Sequence, residues 1–230
     1  MTRTGLRRLG DRLVEMRPDH PLRVGIDGVD GAGKTTLADD LVSFIRAADR
    51  ACVRVSLDGF HRPRAERYRL GEDSPEGYYR DSYDLDAVLR NLLLPLGPGG
   101  DRRFRRRTFE HRTDRPIDEP FEQAPPDAVL LLDGIFLHRP ELLPHLDATV
   151  FVRASFETVL ARVALRDATE MGGIDVAIER YRRRYIPAQR RYLAAATPES
   201  RADAVVMNDD ADEPTLELNP SAFDLDTTSD

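Results

Sequence analysis

Short apolar segments recur along the chain and alternate with segments whose apolar positions have helical spacing. The apolar segments have the length of strands, and several are rich in β-branched residues. They predict five strands, at residues 22–27, 51–57, 128–132, 149–152 and 204–207. Because strands that alternate with helices usually pair in parallel, this order favours an α/β fold with a mostly parallel sheet flanked by helices.

The segments between the strands carry apolar residues three and four positions apart, which is the helical pattern. They predict helices at residues 3–17, 35–45, 85–94, 156–166 and 176–196. We expect the first helix to pack on the edge of the domain. Residues 59–82 are polar and rich in arginine, tyrosine and glycine, which is typical of a long functional loop.

The 230 residues are enough for one full α/β domain. We expect an N-terminal helix region at 1–20 and the main domain at 21–208, with an insertion at about 95–126 where turn signals concentrate. The segment 209–230 is acidic and has little apolar periodicity. This composition predicts a flexible tail.

The composition and net charge limit the cellular location and the binding partners that we expect. The net charge of −7 argues against broad binding to nucleic acids or anionic membranes, and no segment has the apolar length of a membrane span. Cys52 is the single cysteine, so no internal disulfide can form and a cytoplasmic location is expected. We interpret Cys52 as a small buried strand residue. The oligomeric state stays open, and a homo-oligomer is compatible with the sequence.

A glycine-rich segment between the first strand and the following helix, GVDGAGKT at 28–35, matches the phosphate-binding pattern G-x-x-x-x-G-K-[ST]. Lys34 within it is the only lysine of the chain. A compact ammonium reaches between the β- and γ-phosphates of a nucleotide, where a planar guanidinium fits less well. We therefore predict a P-loop NTPase fold, with a nucleotide bound by Gly28, Asp30, Gly31, Ala32, Gly33, Lys34, Thr35 and Thr36.

Two aspartates follow predicted strands, at the sheet edge where ligands of α/β folds collect. Asp133 ends the apolar run VLLL in the manner of a Walker-B strand, and with Thr35 it is expected to place Mg²⁺. Asp58 follows the second strand, where a carboxylate would take the proton of an attacking hydroxyl. The alternatives are a strand-capping aspartate at 133 and a turn aspartate at 58.

Six sequence blocks, in their order and spacing, resemble the uridine kinase family of P-loop kinases, which is close to phosphoribulokinase and the bacterial P-loop pantothenate kinases. The blocks are GVDGAGKTT, LDGFH, SYDLDAV, FEHRTD, VLLLDGIF and LARVALRD, and the resemblance runs from about residue 22 to 208. It implies ATP-dependent phosphoryl transfer to a hydroxyl of a small molecule, with MgATP as the donor. It also implies a lid, at about 166–174.

By this resemblance, Asp58 is the catalytic aspartate, Asp84 holds ribose hydroxyls and His111 contacts a nucleobase. Tyr83 lies in the same block as Asp84 and is assigned to the acceptor site. His61 follows Asp58 by three residues and is expected to line the acceptor pocket.

Arg166 falls in the lid of the family, where arginines close over the phosphates, and we assign it a catalytic role with Lys34. Arg162 lies four residues earlier and shares its helix face, so the two form a lid pair that contacts the substrates.

Three departures from the uridine kinases leave the acceptor open. An arginine run stands where those kinases have an aromatic-acid-aromatic block, the Walker-B acid is aspartate instead of glutamate, and Asp58 is followed by Gly59-Phe60 as in the pantothenate kinases. A pyrimidine nucleoside is our first choice. The alternative acceptor is pantothenate, a sugar or a sugar phosphate.

The arginine run at 102–107 has three interpretations: a surface loop paired with acids, an insertion that binds an anionic acceptor, or a nucleic-acid contact. Charge runs are usually surface loops, and the negative net charge disfavours nucleic acid. A regulatory NTPase without an acceptor is the alternative of a different class. The Asn-Lys-x-Asp segment typical of guanine-specific GTPases is absent, because Lys34 is the only lysine.

Overall fold

A computed structural model of the chain describes residues 3–219. Within this range lie ten strands, six of which form the main sheet. The strands are β1 Leu22–Gly28, β2 Cys52–Ser56, β3 Arg103–Phe104, β4 Phe109–Glu110, β5 Arg115–Pro116, β6 Glu122–Gln123, β7 Val129–Asp133, β8 Ala148–Arg153, β9 Ala204–Met207 and β10 Thr215–Leu218.

Nine α-helices lie in the same range: α1 Arg3–Glu15, α2 Lys34–Ala47, α3 Arg64–Arg67, α4 Pro75–Asp81, α5 Leu85–Val88, α6 Phe156–Met171, α7 Ile174–Arg180, α8 Ile186–Ala196 and α9 Pro198–Arg201. A wider helical segment, Leu89–Leu93, extends α5, and a second, Tyr181–Tyr185, joins α7 to α8. The helices predicted at 85–94 and 176–196 are therefore each continuous but not uniform in pitch.

The main sheet has the strand order β10-β9-β8-β1-β7-β2. All neighbouring pairs are parallel except β10 with β9, which is antiparallel. The predicted α/β class with a mostly parallel sheet is confirmed. Strand β7 lies between β1 and β2, so the carboxyl ends of these three strands meet at one edge of the sheet.

The sixth strand, β10, corrects our expectation for the start of the tail. Residues 215–218 have the sequence TLEL, and Leu216 and Leu218 are half-buried against the core while Thr215 and Glu217 are exposed. This alternation is the period of a strand, and pairing with β9 covers the edge that β9 would otherwise expose. The remainder of the expected flexible tail, from residue 220, lies outside the described residues.

Helices cover both faces of the sheet, which explains the unbroken apolar run of β7. Leu131 packs into a core layer with α1 and α2, whereas Leu130 and Leu132 pack into a second layer with α5 and α8. Within residues 3–219, no helix combines the length and the apolar character that crossing a bilayer requires.

Two segments differ in detail from the sequence expectation. The loop predicted at 59–82 contains the short helices α3 and α4. The second of them begins where Ser74 caps it and Pro75 occupies its first turn. Helix α6 continues to Met171, beyond the predicted end at 166, and stops where Gly172 adopts the left-handed conformation (φ 91°). The insertion at 95–126 contains two small two-stranded sheets, β3 with β6 and β4 with β5.

Candidate active site

The glycine-rich loop joins the central strand β1 to the start of α2. Gly31 and Gly33 both have positive φ, 71° and 99°, and Gly33 directly precedes the helix. A Cβ on Gly33 would lie 2.4 Å from Nδ2 of Asn208, whose amide donates to the Ala32 carbonyl at 2.6 Å. The loop therefore has a fixed, tight conformation next to a helix N-terminus, which is the arrangement that binds phosphate groups.

Lys34 is the first residue of α2, and its ammonium lies back across the loop. Nζ donates to the carbonyl oxygen of Val29 at 2.9 Å. An ammonium has three donors, so this bond leaves two of them for a ligand.

Thr35 and Asp133 meet at the carboxyl edge of the sheet, as the sequence predicted for a magnesium site. Thr35 Oγ1 donates to Asp133 Oδ2 at 2.8 Å, and Asp133 is only 2% exposed. No group of three or more His, Cys, Asp or Glu side chains within residues 3–219 could hold a metal. A hydroxyl and one carboxylate suit Mg²⁺, which commonly takes one or two protein oxygens and completes its shell with phosphate and water.

Arg54 is a neighbour of Asp133 that the sequence analysis did not identify. Its Nη1 donates to Asp133 Oδ1 at 2.6 Å, and its Nε donates to Asp39 at 3.1 Å. A charged residue between two apolar ones, in Val53-Arg54-Val55, was the signal in the sequence. It could be connected to Asp133 only once β2 was known to pair with β7.

A second missed group holds the start of the loop. Asp27 is fully buried; its Oδ1 accepts the Gly28 amide at 2.7 Å and its Oδ2 accepts His138 Nδ1 at 2.7 Å. The hydroxyl of Tyr192 in α8 also donates to Oδ2. His138 is itself buried and anchors this network.

Asp58 lies in a single 3₁₀ turn directly after β2, at the same sheet edge. The Tyr83 hydroxyl donates to Asp58 Oδ1 at 3.2 Å, and His61 Nδ1 lies 2.8 Å from the Asp58 carbonyl oxygen. The His61 ring stands 4.6 Å from Tyr83 and is stacked on His111 at 4.9 Å. Asp58, His61, Tyr83 and His111, all assigned to the acceptor from sequence, are thus brought together in one group of contacting residues.

The protonation states of this group follow from burial. Burial lowers the pKa of His61, with Asp58 opposing the change, so the neutral ring is favoured. Burial and the Asp58 charge raise the pKa of the Tyr83 phenol well above its ordinary value, so it remains a hydrogen-bond donor.

Asp84, assigned to ribose hydroxyls, directly follows Tyr83, but its side chain bonds the start of α5. Its Oδ1 accepts the Ala87 amide at 2.9 Å, which makes it the N-cap of α5. It does not line the main cleft of the described structure.

That cleft has a volume of about 770 Å³ and joins the loop to the acceptor group. The predicted site residues that line it are Asp30, Gly31, Gly33, Lys34, Thr35, Thr36, Asp58, Tyr83, His111, Asp133, Arg162 and Arg166. Gly28, Ala32 and His61 are not part of this lining.

Arg162 and Arg166, the arginines assigned to the lid from sequence, line the cleft from α6. Arg166 forms a two-pronged ion pair with Asp167, at 2.6 and 2.9 Å, and hydrogen-bonds the Tyr181 hydroxyl. Arg162 points Nη1 at the Gly31 carbonyl, 3.4 Å away. Arg112 of the insertion pairs with Glu170 at 2.8 Å, so an exposed salt bridge joins the insertion to α6.

The arginine run of the insertion is paired with acids, as in the surface-loop interpretation. Arg106 makes a bidentate bond to Glu122, Arg107 bonds Glu119 and Arg105 lies 2.8 Å from Asp118. No residue of 102–107 lines the cleft. These contacts favour the surface-loop interpretation of the run.

Fold and site together define a P-loop small-molecule kinase: a strand–glycine loop–helix unit, a Walker-B aspartate beside it and a further carboxylate, that of Asp58, lining the same cleft. Residues 24–211 match the Phosphoribulokinase / Uridine kinase family, and the chain belongs to this family. Membership implies ATP as the phosphoryl donor.

Known proteins resemble the chain over most of its length. Uridine-cytidine kinase B of Dictyostelium discoideum is 24% identical over 188 residues, 81% of this chain and 74% of that protein. Among solved structures, a possible uridine kinase from Bacillus stearothermophilus has a TM-score of 0.70 at 24% identity and covers 88% of this chain and 97% of its own. A proposed fructose transport system kinase from Silicibacter sp. TM1040 has a TM-score of 0.67 at 22% identity, with coverages of 83% and 95%. At these identities the structures establish the fold alone.

Proposed function

We propose that the protein transfers the γ-phosphoryl group of MgATP to a hydroxyl of a pyrimidine nucleoside, uridine or cytidine. The observation that carries this proposal is the placement of the Asp58 carboxylate. It lines the same cleft as Lys34 and Thr35, and the Tyr83 hydroxyl donates to it. A hydroxyl bound beside Asp58 can therefore face the terminal phosphate held at the loop.

Each end of the cleft has its own task. The loop amides and Lys34 bind and neutralise the phosphates, and Thr35 with Asp133 would hold Mg²⁺. Bound Mg²⁺ would supply charge neutralisation at the transferring phosphoryl group. Asp58 orients the acceptor hydroxyl and takes its proton, while Arg162 and Arg166 reach the phosphates from the lid.

The aromatic wall supports a nucleoside as the acceptor. His111 and Tyr83 line the cleft, and His61 contacts both rings, so a flat ring can lie against the lining pair. The uridine-cytidine kinase relative agrees with this choice.

A sugar is the second candidate, favoured by the position of Asp84. That carboxylate caps α5 and does not line the cleft. Asp84 could contact a ribose, as the resemblance implies, only if its side chain gave up the bond to α5. The similarity to a proposed fructose transport system kinase fits this candidate. A regulatory NTPase without an acceptor would leave the placement of Asp58 and Tyr83 in the cleft beside the glycine-rich loop unexplained.

The test is ADP release from MgATP with a panel of acceptors: uridine, cytidine, purine nucleosides, pantothenate, fructose and ribulose 5-phosphate. Stimulation by the pyrimidine nucleosides alone, with the 5′-monophosphate as product, supports the proposal. Stimulation by sugars alone replaces the acceptor and keeps the kinase. A rate that no acceptor raises above slow hydrolysis rules out this kinase function and favours the regulatory NTPase.

A further inference from the structure

Asp30 is the only acidic residue of the glycine-rich loop 28–35, and a carboxylate there opposes phosphate binding by its charge. Its side chain is bonded to residues outside the loop. The Tyr78 hydroxyl of α4 donates to Oδ2 at 2.9 Å, and the Gln189 amide of α8 donates to the same oxygen at 2.7 Å. The carboxylate is therefore held by the helices beside the loop.

Both donors are rigidly placed. The Tyr78 ring packs edge-on against Phe136 and Tyr185, with centroids 5.5 and 4.7 Å apart. Gln189 is completely buried, and its Oε1 has no hydrogen-bond partner in the described part of the chain. An unsatisfied buried oxygen is destabilising. The side chain nevertheless makes its bond to Asp30, which fixes the direction of that carboxylate.

The second oxygen of Asp30 is open. Among residues 3–219, none donates a hydrogen bond to Oδ1, and Asp30 lines the cleft with Asp58 and Tyr83. Burial raises the pKa of the Asp30 carboxyl and Asp58 adds to this effect, whereas Lys34 and Tyr78 oppose it. A ligand hydroxyl that donated to Oδ1 would replace hydrogen bonds to water that the Asp30 carboxylate loses through burial.

We propose that Asp30 Oδ1 binds a second hydroxyl of the acceptor, next to the hydroxyl that Asp58 activates. This inference rests on the proposed kinase function and narrows the acceptor to a molecule with at least two hydroxyls, such as a ribonucleoside or a sugar. Asp30 is thus a specificity-determining residue at the acceptor end, although it belongs to the phosphate-binding loop by sequence.

The test compares wild type, Asp30→Asn and Tyr78→Phe. Asparagine keeps an oxygen for Tyr78 and Gln189 but turns the open oxygen into an N–H donor. Steady-state rates are measured with uridine, 2′-deoxyuridine and 3′-deoxyuridine, or with fructose and its monodeoxy analogues if the panel selects sugars. The dissociation constant of MgATP is measured by calorimetry without acceptor. Tyr78→Phe controls for loss of the supporting bond with Oδ1 intact.

We expect wild type to disfavour one deoxy analogue by about tenfold or more in kcat/KM, the scale of a hydrogen bond to a charged group. In Asp30→Asn, the KM of the full acceptor rises by about the same factor, the discrimination disappears and MgATP binds within about twofold of wild type. Tyr78→Phe retains the discrimination.

Three results would overturn the inference while leaving the kinase intact: an unchanged acceptor KM in Asp30→Asn, discrimination that persists in that variant, or weaker MgATP binding as its main defect. A fall in kcat at constant KM would make Asp30 the base and also overturn it. If no acceptor stimulates wild type, the proposed function fails and this inference fails with it.

Discussion

Arg54 and Asp133 form an ion pair at the carboxyl edge of the sheet, with 2.6 Å between Nη1 and Oδ1. The pair is nearly enclosed, since the Asp133 side chain is 3% exposed and that of Arg54 18%. The other oxygen of Asp133 accepts the Thr35 hydroxyl. The carboxylate that would help to hold Mg²⁺ therefore already has a cationic partner, and removal of that partner leaves a buried charge unpaired.

We expect Arg54→Gln to lower the free energy of unfolding by about 2 kcal/mol, because Asp133 loses its ion pair. Mg²⁺ should restore part of this loss, so the rise in Tm between EDTA and millimolar Mg²⁺ should be larger in the variant than in wild type. Arg7→Gln is the control, because Arg7 and its partner Asp11 are exposed. Equal Mg²⁺ shifts in Arg54→Gln and wild type would contradict the pairing argument.

Asp58→Asn should lower kcat by a factor of about one hundred or more, the scale for loss of a general base, with MgATP binding retained. Tyr83→Phe removes the hydroxyl that donates to Asp58 Oδ1 and should produce a smaller loss, about tenfold. Both are measured by coupled ADP release with the best acceptor of the panel. Turnover of Asp58→Asn near the wild-type rate would exclude the assignment.

The parts of this site that sequence could predict are those encoded by local patterns. The loop around Lys34 lies between a strand and a helix, and Asp133 ends an apolar strand, so both could be placed without tertiary information. Asp58 could be placed at a strand end as well, since carboxyl ends of parallel strands share one edge.

What sequence could not predict depends on contacts between distant segments. The bond from Gln189 to Asp30 joins residues 159 positions apart, and the pairing of Arg54 with Asp133 follows from β7 lying beside β2. For Asp84 a local pattern gave the wrong emphasis. Its motif suggested a contact with a ligand, but an aspartate directly before a helix can also cap it, and Asp84 accepts the Ala87 amide in this way.

Cys52 gives a pH prediction. Burial raises the pKa of its thiol from 9.0 to about 11. Between these values the unfolded chain releases the thiol proton and the folded chain keeps it, so stability falls as the pH rises from 9 to 11. Cys52 should contribute up to about 2 kcal/mol of this loss.

The measurement is urea unfolding of wild type and Cys52→Ala at several pH values. Buried tyrosines also titrate in alkali, so the difference between the two proteins is the readout. The excess stability of wild type should shrink as the pH rises from 8 to 11. A difference that is constant with pH would show that the folded thiol ionises normally.

Lys34 offers a direct probe of the nucleotide site because it is the only lysine of the chain. Its ammonium lies across the glycine-rich loop, bonded to the Val29 carbonyl, and lines the cleft. Phosphates bound at the loop should cover this ammonium.

We expect acylation of Lys34 by an N-hydroxysuccinimide ester to abolish ADP release in proportion to the extent of modification, which is measured by peptide mass spectrometry. MgATP should slow the reaction about tenfold or more when the site is saturated, whereas adenosine, which has no phosphates, should not. Modification at the same rate with and without MgATP, or full activity after complete modification, would remove Lys34 from the phosphate site.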